Sequence, residues 1–273
     1  MQITVPFASL ESAPPKPGDV WAFAIKRSNG GRKFANSGFP DATYHDQNAF
    51  GFIQFGAYME NISGFLGVPK QNPEKSAELQ SQLEKAGFFI QTGRNASEFE
   101  RTGSDCKLYI FRHTPVTAYR ADFFQKTVLP ALQNGALVIF SGWGNIPVDK
   151  YFNDPRLKIR WSKWKAAPGR KSFAVKPGNW LTVPEDISAL LRRGITPASG
   201  FIPEEAGVWD ELAKLKLKDD SSACFLMTAR VGKGMLVVTS GDFGFGGGLA
   251  IFGKNISQSV KLVRNLYHLL NGK

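Results

Sequence analysis

The sequence predicts an α/β protein: a mostly parallel sheet with helices on both faces and a β-hairpin late in the chain. Short apolar runs alternate with amphipathic stretches between residues 72 and 140, the order expected of βαβ units. Gly87 and Gly135 stand where two of those stretches should stop, and two β-rich runs lie only Val231-Gly-Lys-Gly234 apart. A connection that short joins antiparallel strands.

The elements follow in order. Asp19 to Ile25 is a short apolar run, taken as the first buried strand. The polar, Gly-rich stretch from Lys26 to about Asn48 is too long for an ordinary connection, which marks it as a candidate functional loop. Asn72-Pro73-Glu74 has a capping residue, a first-turn proline and an early acid, so a helix should begin there and end at Gly87. Phe88 to Gln91 is the next strand, Lys107 to Phe111 a third, Ala118 to Asn134 a helix, and Ala136 to Phe140 a fourth strand. Pro130 should kink that helix or end its regular part. Pro184 to Arg193 and Glu204 to Leu215 are expected to form shorter helices. Ala223 to Arg230 and Met235 to Thr239 form the hairpin, and Ser257 to Leu270 closes the fold with Val260, Val263, Leu266, Tyr267 and Leu270 on one face.

Composition bounds the answer from another side. The 273 residues include 34 Lys plus Arg against 23 Asp plus Glu, a formal charge of +11, with 42% hydrophobic and 21% charged residues. That excludes a disordered, collagen-like or disulfide-stapled chain. The length suits one large domain or two small ones. Continuous element order favours an amino-terminal arm over residues 1–18 and one domain over 19–273. The arm, rich in proline from 11 to 18, is either a linker from a longer or exported protein or a short surface arm. No apolar run approaches bilayer-spanning length, and the first residues lack a signal-peptide pattern, so a soluble protein of open compartment is expected.

Ligands of open parallel sheets bind beyond the carboxyl ends of the strands. Those ends nominate Arg27 after the first strand, His113 after the third, Ser141 and Trp143 after the fourth, and Asp242 after the hairpin; they converge only if the strands are neighbours. His113 serves either in acid–base chemistry or as a structural donor at a strand end. His45 sits in Thr43-Tyr-His-Asp46, where Asp46 is placed to orient it, but no third ligand accompanies it and no metal is assigned. His268 lies among apolar neighbours and is read as structural. Gly142-Trp-Gly144 has the outline of a nucleophile elbow with tryptophan at its centre, which cannot attack a carbonyl. Cys106 precedes a strand and Cys224 lies within one, so neither is placed as a nucleophile. The run Gly241 to Gly248 is a surface loop or a rim of the site, and no cofactor is assigned.

Residues 155 to 176 hold eight cations and no acid, with Trp161 and Trp164 among them. Either this surface meets a polyanion, or Leu157, Ile159 and Trp161 face inward while Lys158 and Arg160 face water. The alternation favours the second, and no nucleic-acid-binding motif supports the first.

Leu108 to His113, Thr127 to Gly135, Ala136 to Gly142, Tyr151-Phe152 and Leu157 to Trp161, with Ala229 to Ser240 before a closing helix, resemble the trehalose-utilisation (ThuA-like) branch of the class I glutamine amidotransferase-like superfamily. The resemblance implies a flavodoxin-like three-layer αβα sandwich without the amidotransferase cysteine, a link to carbohydrate metabolism, and a neighbouring glycan-active domain. It places the pocket at His113 and Ser141 to Trp143. Trp143, and Thr114-Pro115 after His113, depart from the family's pattern. The expected function is binding of a sugar or polyol, with catalysis left open; the alternative is a non-catalytic accessory or assembly domain. Trp143 would stack on the sugar, His113 and Asp242 would be its polar or acid–base groups, and Arg27, His45 and Ser141 would complete the binding set.

Overall fold

The computed structural model describes residues 20–23, 26–27, 35–36, 51–54, 62–67, 73–102, 106–112, 119–141, 146–163, 173–187, 199–216, 222–240 and 256–272. The chain divides into two compact units, residues 1–60 and 61–273.

In the first unit, β1 (Val20–Phe23) pairs antiparallel with β4 (Gly51–Gln54), and β2 (Lys26–Arg27) pairs with β3 (Ala35–Asn36). The apolar run near residue 20 is therefore a strand, but not the first strand of the parallel sheet. A short apolar run specifies extended backbone without specifying its neighbour. The stretch after it, expected to be one long loop, contains the β2–β3 pair.

The second unit is built on a ten-stranded sheet. Its parallel core is β5 (Ile62–Gly67), β6 (Phe88–Gly93), β7 (Leu108–Arg112), β8 (Leu137–Ser141) and β14 (Gly234–Thr239), in spatial order β6-β5-β7-β8-β14. Renumbered within the core this is 2-1-3-4-5, the flavodoxin-like order. β5 is not evident from the sequence because Gly64, Gly67 and Ser63 dilute its apolar signal. Both glycines are closely approached: a Cβ at Gly64 would lie 2.7 Å from Ile90 Cδ1 and one at Gly67 3.1 Å from the Tyr119 hydroxyl, so an added methyl would make those side chains shift.

The sheet continues from β14 through antiparallel partners: β13 (Ser222–Val231), β12 (Trp209–Lys216) and β10 (Phe173–Val175). β11 (Ser199–Pro203) pairs with β13 and with β9 (Ile159–Lys163). Helices cover both faces, as a three-layer fold requires. On one face, α2 (Ala96–Thr102), α3 (121–133) and α4 (Val148–Phe152) enclose Phe65, Tyr109, Phe111, Val138 and Phe140 in an aromatic-rich core. On the other, α1 (Pro73–Lys85) meets α5 (Ile256–Leu270), and Tyr267 of α5 makes an edge contact with Phe88.

α3 carries a π-helical turn over Phe124–Val128, so that the Leu129 N–H donates to the Phe124 carbonyl. Pro130 follows at once; the helix survives it by widening one turn instead of ending. It ends at Asn134, where Gly135 takes φ +99° and the Ala136 N–H reaches back to Ala131 O at 2.9 Å, a closure that favours glycine.

One expected helix is absent, and the described start of another, whose remainder lies outside the described residues, is not helical. Residues 209–216 form β12, because pairing along β13 and burial of Trp209, Leu212 and Ala213 override the helix propensity of Glu211-Leu-Ala-Lys214. Residues 184–187 are not helical. Asn265 of α5 holds this segment: its Oδ1 accepts from the Glu185 N–H, and its Nδ2 donates to the Trp180 and Glu185 carbonyls.

Candidate functional site

Three adjacent parallel strands end together. Arg112 of β7 is in register with Ser141 of β8, and Ser141 with Thr239 of β14. Partners in a parallel ladder point to the same face, so these three polar side chains form one row at the carboxyl edge. The row continues the stripe Leu108, Leu137 and Met235, then Ile110, Ile139 and Val237, away from the aromatic core and toward the α1–α5 face.

The row is deeply buried. Arg112 and Ser141 are each 3% exposed and Thr239 is 1% exposed; Ser240, the next residue, is fully buried and by strand alternation lies on the opposite face, with Leu236 and Val238. The Ser141 and Ser240 hydroxyls have no hydrogen-bond partner, and neither does that of fully buried Ser259 in the first turn of α5. A buried hydroxyl without a partner is costly and calls for an explanation.

The structure thus brings together the strand ends from which His113, Trp143 and Asp242 follow. Those three side chains lie outside the described residues, as do His45 and the glycine-rich run after Asp242. Arg27 is the second residue of β2 in the 1–60 unit. Of the six nominated residues, Ser141 is the one whose side chain is described. The strand ends also point to Arg112 and Ser240, which terminate apolar runs. Thr239 and Ser259 were missed; the available signal was a hydroxyl ending an apolar strand and a serine opposite the charged face of the last helix.

The cysteines match their expected non-nucleophilic placement. Cys106 and Cys224 are buried and form no disulfide, and burial pushes the Cys224 thiol up to about 11. A thiol held protonated at neutral pH is a poor nucleophile. On the other face, the Tyr119 hydroxyl donates to Gly93 O at 2.8 Å, and burial, reinforced by the charge of Glu98, raises its pKa well above the ordinary phenol value.

The basic stretch behaves as its alternation implies. Leu157 and Ile159 are buried, Trp161 is half-buried, and Lys158 and Arg160 are exposed. Among the described residues three of the cations are paired: Arg156 with Asp154 at 2.7 Å, Lys158 with Glu204 at 2.9 Å and Lys176 with Asp210 at 2.7 Å. Among the described residues no cluster of three His, Cys, Asp or Glu side chains suits a metal ion, and no helix is long and apolar enough to cross a membrane.

A separate groove of about 670 Å³ opens at the opposite, amino-terminal edge, lined by Trp209, Thr228, Arg230, Met235 and Leu269 among others. Arg230 donates to the carbonyls of Leu269 and Leu270, each at 3.3 Å. These contacts tie the last turn of α5 to the end of β13, where Arg230 pairs with Met235 at the start of β14.

No family model and no curated protein matches the chain. Similar solved structures include a β-galactosidase from Rahnella sp. R3, at 11% identity and a TM-score of 0.43, covering 78% of this chain and 31% of that one. A putative GMP synthase component from Thermoplasma acidophilum aligns at 9% identity and 0.42, covering 79% and 96%. An exo-β-1,4-mannosidase from Opitutaceae bacterium strain TAV5 aligns at 12% and 0.36, covering 78% and 35%. The chain thus spans about a third of the length of the two glycosidases.

Proposed function

We propose that residues 61–273 form a ThuA-like domain that binds a sugar or polyol at the carboxyl edge of its parallel sheet and has no amidotransferase activity. One observation carries the reading: β7, β8 and β14 end side by side in a buried polar row in which the Ser141 hydroxyl lacks a partner, with the partnerless Ser240 hydroxyl at the same edge. A crevice beyond such strand ends, with hydroxyls still to be satisfied, suits a hydroxyl-rich ligand. In this reading Trp143 is the stacking platform, and His113 and Asp242 are the polar or acid–base groups that follow β7 and β14. Calorimetric titration with neutral mono- and disaccharides tests it. Saturable binding that His113→Ala or Trp143→Ala weakens supports the pocket; no saccharide binding, or unchanged binding in both variants, overturns it.

One observation favours a second reading, an accessory domain that assembles with its own copy. Phe89, on β6, the terminal strand of the sheet among the described residues, is 60% exposed, and a terminal strand is a template for pairing. Light scattering decides: a multimer that Phe89→Ser converts to a monomer supports assembly, and a wild-type monomer rejects it.

A further inference from the structure

The direction of α5 fixes which end of it meets the polar row. Its last carbonyls are held by Arg230, and Leu269 lines the same groove as Met235 at the start of β14. A 15-residue helix is about 22 Å long, close to the length of a six-residue strand, about 20 Å. The first turn of α5 therefore lies at the carboxyl edge, on the face that Arg112 and Ser141 share. That turn contains Ser259, fully buried and without a hydrogen-bond partner, like Ser141 and Ser240.

Hydroxyls both donate and accept, so Ser141 and Ser259 alone suit a neutral sugar equally well. The remaining groups break the tie. The first turn of a helix presents backbone N–H groups and the positive end of the macrodipole. Arg112 adds a buried guanidinium at the head of the row, and a guanidinium only donates. Donors and positive charge converging on buried, partnerless hydroxyls select an anion with several acceptor oxygens.

We infer that the carboxyl edge, between the Arg112–Ser141–Thr239 row and the first turn of α5, is an oxyanion subsite that takes the phosphate or carboxylate of a charged sugar. This deepens the sugar-binding reading and rests on its placement of the site. Ser141 and Ser259 then donate to the anion's oxygens, the first turn of α5 supplies the field that holds it there, and the sugar ring extends outward from the sheet.

The full chain is titrated calorimetrically with inorganic phosphate, glucose 6-phosphate, glucuronate and glucose. Inorganic phosphate should bind saturably, and at least one charged sugar should bind about tenfold or more tighter than glucose. Preference between glucose 6-phosphate and glucuronate separates a phosphate source from a carboxylate source. Ser141→Ala and Ser259→Ala should each weaken phosphate about tenfold while leaving the melting profile cooperative; Ser141→Cys, nearly the same volume, replaces the alanine variant if that one unfolds. Absence of phosphate binding up to about 10 mM, or variants that bind it as the wild type does, overturns the subsite. Glucose binding without phosphate binding rejects the oxyanion and keeps the sugar site; phosphate binding without any sugar binding does the reverse.

Discussion

Two glycines at the hairpin turn show how a single missing Cβ can be structural. Gly232 takes φ +60° and Gly234 closes the turn from β13 into β14, and the Lys233 N–H between them donates to the Gln133 carbonyl at 3.0 Å. A Cβ on Gly234 would collide with the carbonyl oxygens of Leu132 and Ala136, both main-chain atoms that cannot swing away. Gly234→Ala should therefore cost about 3 kcal/mol in denaturant unfolding. The glycines were legible as a turn, but their contact with the end of α3 was not, because it joins segments far apart in sequence. Asp154 offers a test through pH. Its carboxylate accepts from the Arg156 backbone and side chain, and the side-chain bond does most to hold its pKa below the ordinary carboxylate value. The stabilisation is complete above about pH 4 and is lost as pH falls through the depressed value. Asp154→Asn should lower the melting temperature slightly at neutral pH, and the difference from wild type should vanish in strong acid.

At the scale of elements, local signals worked where they were local. The stops at Gly87 and Gly135, the two-residue hairpin turn and the apolar face of α5 all follow from residues within a few positions of one another. Signals failed where a distant partner decides. β12 reads as a helix until β13 is beside it, and β5 carries no clear strand signal until Ile90 and Tyr119 are seen beside its glycines. Asn265 is the clearest instance. On the sequence it interrupts the apolar face of a helix; in the fold it is fully buried and satisfies three main-chain groups of residues 180 and 185. Asn265→Ala would strand those groups and should cost about 3 kcal/mol, with hydrogen exchange rising first at residues 181–187. A loss confined to α5, with protection of 181–187 unchanged, would show that the amide is dispensable. The candidate site divides in the same way. That the chain leaves the sheet near Arg112, Ser141 and Ser240 was readable from the strand ends; that these exits are neighbours required the sheet order, and Ser259 required the direction of α5.

Across the whole molecule, the 2-1-3-4-5 core is assembled out of chain order. β5, β6, β7 and β8 arrive in succession, each separated from the next by one helix. β14 pairs directly with β8, yet the whole stretch from 142 to 233, with five further strands, comes between them. The bond network that unites Ser141 with Thr239 is therefore the most non-local in the parallel core, and non-local pairing is slow to form. During synthesis the first four core strands can emerge and collapse while the edge of β8 has no partner, exposed until the hairpin is complete. The polar row is split across that same seam, with Arg112 and Ser141 on the early side and Thr239 on the late one. A ribosome-bound chain stalled before β13 would hold Arg112 and Ser141 without Thr239 or α5, so under the proposed function ligand binding reports on completion of the fold.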